Sequence, residues 1–254
     1  MALVYAAVVP HAPVLAPTLA ADHHAVVHST ISSLQHIGRE LRLAQVETMI
    51  VLTPHFLGDE TSFFVNTAEK LRCDLSKFGD YKTNTELPGA WVFAQHLRAA
   101  ADQEHVPMRL QSTPDLDYGV SVPWLAGDWP NVACLPIATY GQSDELLFRF
   151  GELLGDVCHQ QQTRCAIIAS ADLAERPAGK KDYRPLPWER DVATALREGR
   201  RDHFPPPTTA DPCGRAPIVA LMSAVASMQP SSTILSFESP FRVGYLTAEC
   251  HLRR

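Results

Sequence analysis

Short apolar runs alternate with longer stretches whose apolar positions recur every three or four residues. Residues 3–9 (LVYAAVV), 47–53 (ETMIVLT), 132–138 (VACLPIA) and 165–170 (CAIIAS) are compact and uncharged apart from Glu47. Such runs read as strands covered on both faces. Between them, residues 22–43 place Val27, Ile31, Leu34, Ile37 or Gly38, and Leu41 on one face, which predicts a helix. Residues 88–104 predict another after Pro88, with Trp91, Phe93, Leu97 and Ala101 inward. Residues 143–160 predict a third, with Ser143 as its N-terminal signal. Further helices are expected at 187–201 and 214–228, and short strands at 62–65 and 107–111. Residues 232–237 and 243–250 read as a closing β-hairpin. Residues 68–88 are polar and turn-rich and read as a covering loop, and 203–217 as a proline-rich surface connection.

Strands alternating with helices predict an α/β fold: a single domain over 1–254, with a mostly parallel mixed sheet, helices on both faces and the C-terminal hairpin. The chain shows no internal repeat and no interdomain linker.

Composition narrows the function classes. With 46% hydrophobic residues the chain can build a sizeable core, and its net charge of −6 with no basic stripe argues against nucleic acid as a partner. No apolar run is long enough to span a membrane. The N-terminal MALVYAAVVPHAP lacks a basic start and reads as the first strand, not as a signal peptide. Six cysteines without a CxxC pair suit a reducing cytoplasm, most of them as small buried hydrophobes.

The chemistry-bearing positions sit where strands stop. His11 follows the first run and His55 the second, each after a proline, and Glu238 ends the run ILSFE. In open α/β sheets ligands bind beyond the carboxyl ends of the strands. Two histidines and one carboxylate there form the donor set of a facial iron(II) site with open positions. His24 and His28 lie one helical turn apart but lack the glutamate of H-E-x-x-H, so they read as a polar helix face. Asp172 reads as a turn or capping residue.

Six segments, VVPHAP, VLTPHF, DYGVSVPWL, IIASADLAER, DPCGRAPIVALMSA and SFESPFRVGY, occur in that order. Together they resemble the class III extradiol ring-cleavage dioxygenases of the protocatechuate 4,5-dioxygenase catalytic-subunit type, and more distantly the Memo-like proteins. The resemblance runs from residue 3 to about 249. It implies a non-haem Fe2+ enzyme, with Mn2+ or Zn2+ as alternatives, whose metal ligands are His11, His55 and Glu238. It implies a small aromatic substrate of catechol or aminophenol type and O2 as partners, a homo-oligomer, and in some relatives a small partner subunit.

Two positions depart from the family pattern. The acid/base histidine of A-S-G-D-L-S-H is Glu175 here, and the histidine of D-H-G is Tyr118. Glu175 would need burial to raise its pKa far enough to move a proton near neutrality. Tyr118 could donate a hydrogen bond to bound substrate or oxygen. The substitutions leave a second reading open, that of a metal-binding relative without ring-opening activity.

Overall fold

The computed structural model describes residues 3–19, 21–55, 61–176, 184–207 and 212–253. Part of the proline-rich connection expected at 203–217 therefore lies outside the described residues. The fold is a single α/β domain built on an eight-stranded mixed sheet.

The chain opens with β1 (Leu3–Val9), a 3-10 turn at Ala21–Val27, α1 (His28–Leu43) and β2 (Thr48–Thr53). The strands β3 (Phe63–Asn66), β4 (Lys70–Cys73) and β5 (Glu86–Pro88) follow, then α2 (Trp91–Gln103), β6 (Met108–Gln111) and β7 (Asp115–Leu116). Next come α3 (Tyr118–Ala126), β8 (Ala133–Ala138), α4 (Asp144–Gln160) and β9 (Cys165–Ser170). The chain ends with α5 (Pro187–Glu198), α6 (Arg215–Val225), β10 (Ser231–Glu238) and β11 (Tyr245–His251).

The strand order is β10-β11-β1-β9-β2-β8-β3-β6. The central four, β1, β9, β2 and β8, run parallel. The terminal hairpin adds to one edge through β11, antiparallel to β1. β3 joins β8 antiparallel at the other side.

Side-chain alternation divides the core in two. Val8, Ile50, Leu52 and Ile167 face a cluster shared with α2, α4, α5 and α6. Tyr5, Ala7, Val9, Val51 and Ile168 face the opposite cluster, which contains Leu34, Ile37 and Leu41 of α1 and Val120, Val122 and Trp124 of α3. With helices on both faces, β2 and β9 are buried along their whole length. α4 packs directly on α6. A Cβ on Gly151 would come within 2.4 Å of the Ala220 carbonyl oxygen, and one on Gly155 within 2.2 Å of that of Ala224. Both glycines let the helix backbones meet.

Two expectations need correction, and one helix was not expected. Residues 68–88 are not a plain loop: β4 pairs with β5 and β7 in a second, three-stranded sheet. Its strands are two to four residues long, with Leu71 and Cys73 inward and Lys70 and Arg72 outward, too short for a periodic signal. α3 went unread because it is buried nearly all round and carries Pro123 in its interior, so no polar face marks it. Trp91 does not point inward; it begins α2 and is 46% exposed.

Candidate metal centre

Parallel strands deliver their ends to one side of the sheet, and the site forms there. His11 follows β1 after Pro10, and its side chain is only 1% exposed. Its backbone N–H donates to Asp172 Oδ1 at 2.9 Å, and Asp172 follows β9, the strand between β1 and β2. The Ser170 hydroxyl donates to the Gly119 carbonyl at 2.5 Å and lies 2.9 Å from His11 Nδ1. With its only proton committed to Gly119, Ser170 Oγ must accept from His11 Nδ1–H. That fixes the tautomer and leaves the Nε2 lone pair of His11 pointing outward.

His55 follows β2. Its backbone N–H donates to Thr53 Oγ1 at 3.3 Å, and that hydroxyl donates to Asp117 Oδ1 at 2.9 Å. Asp117 caps α3 by accepting from Gly119 N–H at 2.7 Å. The capped helix starts with Tyr118, whose ring stacks on His55 at 4.3 Å and meets His11 edge-on at 5.6 Å. The two imidazoles converge, Nε2 to Nε2, at 2.9 Å.

The third donor is Cys213, whose Sγ lies 3.6 Å from His11 Nε2. Gly214 sets it there: its N–H donates to the Asp172 carbonyl at 3.0 Å, and a Cβ on Gly214 would stand 2.5 Å from that oxygen. Donor atoms of His11, His55 and Cys213 all lie within 4.8 Å of one another, and they form the three-donor cluster found among the described residues. The spacing suits one ion. Two nitrogens at about 2.0–2.1 Å from a metal stand roughly 3 Å apart, and a nitrogen and a thiolate roughly 3.5 Å apart.

Burial sets the protonation of the group. It pushes the His11 pKa down to about 3 and that of His55 down to about 4, the latter with a further push from His11. Both are neutral near pH 7, as ligands must be. Burial raises Asp172 to about 6 against the hydrogen bond from His11, and its Oδ2 stands 3.8 Å from His11 Nε2. Burial likewise raises Tyr118 to about 12, so its phenol keeps its proton.

The structure brings His11, His55 and Tyr118 together; Glu238 and Glu175 stand elsewhere. β10 runs parallel to β1, so Glu238 reaches the same side of the sheet, but four strand spacings from β2, roughly 19 Å. Its Oε2 accepts from the backbone N–H and the hydroxyl of Thr30, at 2.8 and 2.6 Å, in the first turn of α1. It is a remote cap on that helix. The Glu175 side chain is 67% exposed and pairs with Arg242 at 3.1 Å. It lacks the burial that proton transfer near neutrality requires, and Asp172 holds the dry position instead. Cys213 and Asp172 were visible in the sequence as DPCG and SAD, but a thiol before a helix and an acid in a turn carry no spacing signal of their own.

The chain is similar to several known proteins. The model of the family described as the catalytic LigB subunit of aromatic ring-opening dioxygenase matches residues 5–245. A curated protein, Protein CA_C1420 of Clostridium acetobutylicum, is 21% identical over 262 residues, covering 93% of this chain and 55% of its own length. The chain thus spans about half the length of that relative. Among solved structures, the uncharacterized protein JW3007 from Escherichia coli K12 aligns over 97% of this chain and 99% of its own, with a TM-score of 0.61 and 17% identity. That likeness is one of fold.

Proposed function

The chain belongs to the family of the catalytic LigB subunit of aromatic ring-opening dioxygenases, and from that premise we propose that it opens the ring of an ortho-dihydroxy or aminophenol aromatic with O2 at an Fe2+ centre held by His11, His55 and Cys213. The observation that carries this reading is the 2.9 Å approach of two neutral imidazoles, one with its tautomer fixed by Ser170. The donor set keeps the charge expected of such a site. A cysteine thiolate supplies the one negative ligand that a carboxylate would otherwise give.

The metal, when bound, supplies the electron transfer between aromatic and oxygen. The chain's own residues orient the substrate and move its protons. Asp172, with a pKa near 6 and beside His11, accepts the proton that a substrate hydroxyl must lose. Tyr118 keeps its phenolic proton and donates it in a hydrogen bond, while its ring fixes His55 by stacking.

The thiol also favours a second reading, a metal-binding relative without ring-opening chemistry, because a sulfur ligand is itself open to oxidation. Oxygen uptake by anaerobically iron(II)-loaded protein, with a panel of catechols and aminophenols, separates the two. Uptake that disappears in His55→Ala supports ring opening. Stoichiometric metal binding with no uptake supports the second reading.

A further inference from the structure

We propose that the aromatic substrate carries an uncharged, apolar substituent, and that this substituent occupies a cavity beside the metal ligands walled by Val14, Leu19, Phe78 and Phe241. The inference rests on the ring-opening reading for the reacting half of the molecule and on independent geometry for the other half. The cavity holds about 400 Å³, within the range that takes small ligands.

Its position ties it to the site. Ala12, the neighbour of His11, lines it, and so does Phe78. Phe78 meets Tyr118 edge-on at 5.2 Å and also lines a second cavity of about 320 Å³, onto which His55 and Tyr118 face. Phe78 is therefore the wall common to both spaces. A ring beside His55 can send a substituent past Phe78 into the apolar space.

Charge decides what that substituent is. Among the described residues no lysine or arginine lines the apolar cavity; its polar tips are His23 and Tyr245. Burial holds the Tyr245 phenol protonated. Among the described residues lining the cavity beside His55 the one cation, Lys77, is accompanied by Asp74, by Asp117 and by Asp115, the last paired with Arg72. Among the described residues, a carboxylated aromatic would find no unopposed positive charge lining either space.

The walls are also fixed in place. Thr18, one residue before Leu19, donates to Asp80 at 2.5 Å, and Asp80 also receives Thr83, so the segment bearing Leu19 is pinned to the loop bearing Phe78. Arg242, beside Phe241, adopts a left-handed backbone with φ of 73° and donates to the Arg176 carbonyl at 2.7 Å. Phe78 and Phe241 nevertheless remain 39% and 37% exposed, an apolar opening held ready on a braced frame.

Titration calorimetry of the full chain without added metal, using 4-pentylphenol, phenol and 4-hydroxybenzoate, tests the inference. The expected result is tighter binding of 4-pentylphenol than of phenol by roughly tenfold or more, with no gain for 4-hydroxybenzoate. Val14→Asp and, separately, Phe241→Ala should abolish or reduce that preference, and His55→Ala should keep it. Equal affinities for the two phenols, or a preference unchanged in both wall variants, would overturn the proposal. The two readings fail separately: a pentyl preference without oxygen uptake on 4-pentylcatechol sinks ring opening alone, whereas uptake on catechol without a pentyl preference sinks the substituent site alone.

Discussion

His11 and His55 face each other Nε2 to Nε2 at 2.9 Å from the ends of β1 and β2, across the end of β9. Burial keeps both rings neutral. Two unprotonated Nε2 atoms would repel at this distance, so in the metal-free chain one ring must donate. Ser170 already takes the Nδ1 proton of His11, which makes His55 the donor. A metal ion held between the rings would replace that proton and satisfy both lone pairs.

The first prediction separates the acid that caps α1 from the thiol proposed as a ligand. Cys213→Ser should weaken metal binding by at least roughly 10–100-fold, as loss of a ligand or its support does. Glu238→Gln should leave metal affinity within about twofold, yet lower folding stability by about 1 kcal/mol, because it removes a charged acceptor from the first turn of α1. Metal titration followed by urea denaturation of each variant checks both. A collapse of metal binding in Glu238→Gln would restore that residue to the ligand set.

Ser170→Ala addresses the tautomer. Without the hydroxyl, nothing in the network holds the proton on Nδ1 of His11, and the Gly119 carbonyl also loses its donor. Metal affinity should fall by roughly 10–100-fold. Ser170→Thr, which keeps a hydroxyl, should recover part of the loss in the same titration, whereas a purely packing role for Ser170 predicts no such recovery.

The buried histidines also give the metal-free protein an acid limb. Their folded pKa values, about 3 and 4, lie below the usual imidazole value of 6.5. A depressed histidine contributes stability that is present above its unfolded pKa and is lost as pH falls through the folded one. Asp172, raised to about 6 from 3.8, works in the opposite sense: it stabilises below 3.8 and loses that contribution as pH rises through 6. Three groups thus change stability between pH 6.5 and 4, the two histidines outweighing the one acid. Urea midpoints should drop across this window by the equivalent of about 2–3 kcal/mol. In His11→Asn the drop should shrink. A flat profile in the unmodified chain would show that these rings are hydrated in solution.

Much of this architecture was legible in the chain. The runs at 3–9 and 165–170 became β1 and β9 without a shift of boundary, because a strand buried on both faces needs continuous apolar sequence. Ser143 caps α4 as its side chain predicts, accepting from Leu146 N–H. His11 and His55 were visible because each follows such a strand. The rest of the site depends on contacts that sequence separation hides: Ser170 reaches His11 across 159 positions, and Cys213 across 202. The role of Glu238 was hidden for the same reason. Its place at a strand end is plain in the sequence, but which neighbour it meets depends on β11 inserting beside β1, which nothing local announces.

The last prediction joins packing to the metal centre through Gly214. A methyl group there would meet the Asp172 carbonyl oxygen at 2.5 Å and the Ala171 side chain at 2.6 Å, both on the segment after β9 that also holds His11. That segment is buried and has no flexible end to move aside, so Gly214→Ala must push the start of α6 away and carry Cys213 with it. Arg215, one residue on, binds both carboxylate oxygens of Asp144 at the start of α4, at 2.5 and 2.8 Å. This grip resists the shift and turns it into strain. The variant should lose about 1–3 kcal/mol of stability and most of its metal affinity. Gly151→Ala, which crowds the Ala220 carbonyl farther along α6, should cost similar stability and leave metal binding far less affected. Parallel metal titrations and denaturation curves of the two variants give the comparison. Equal loss of metal binding in both would mean that the centre responds to global stability and not to the position of Cys213.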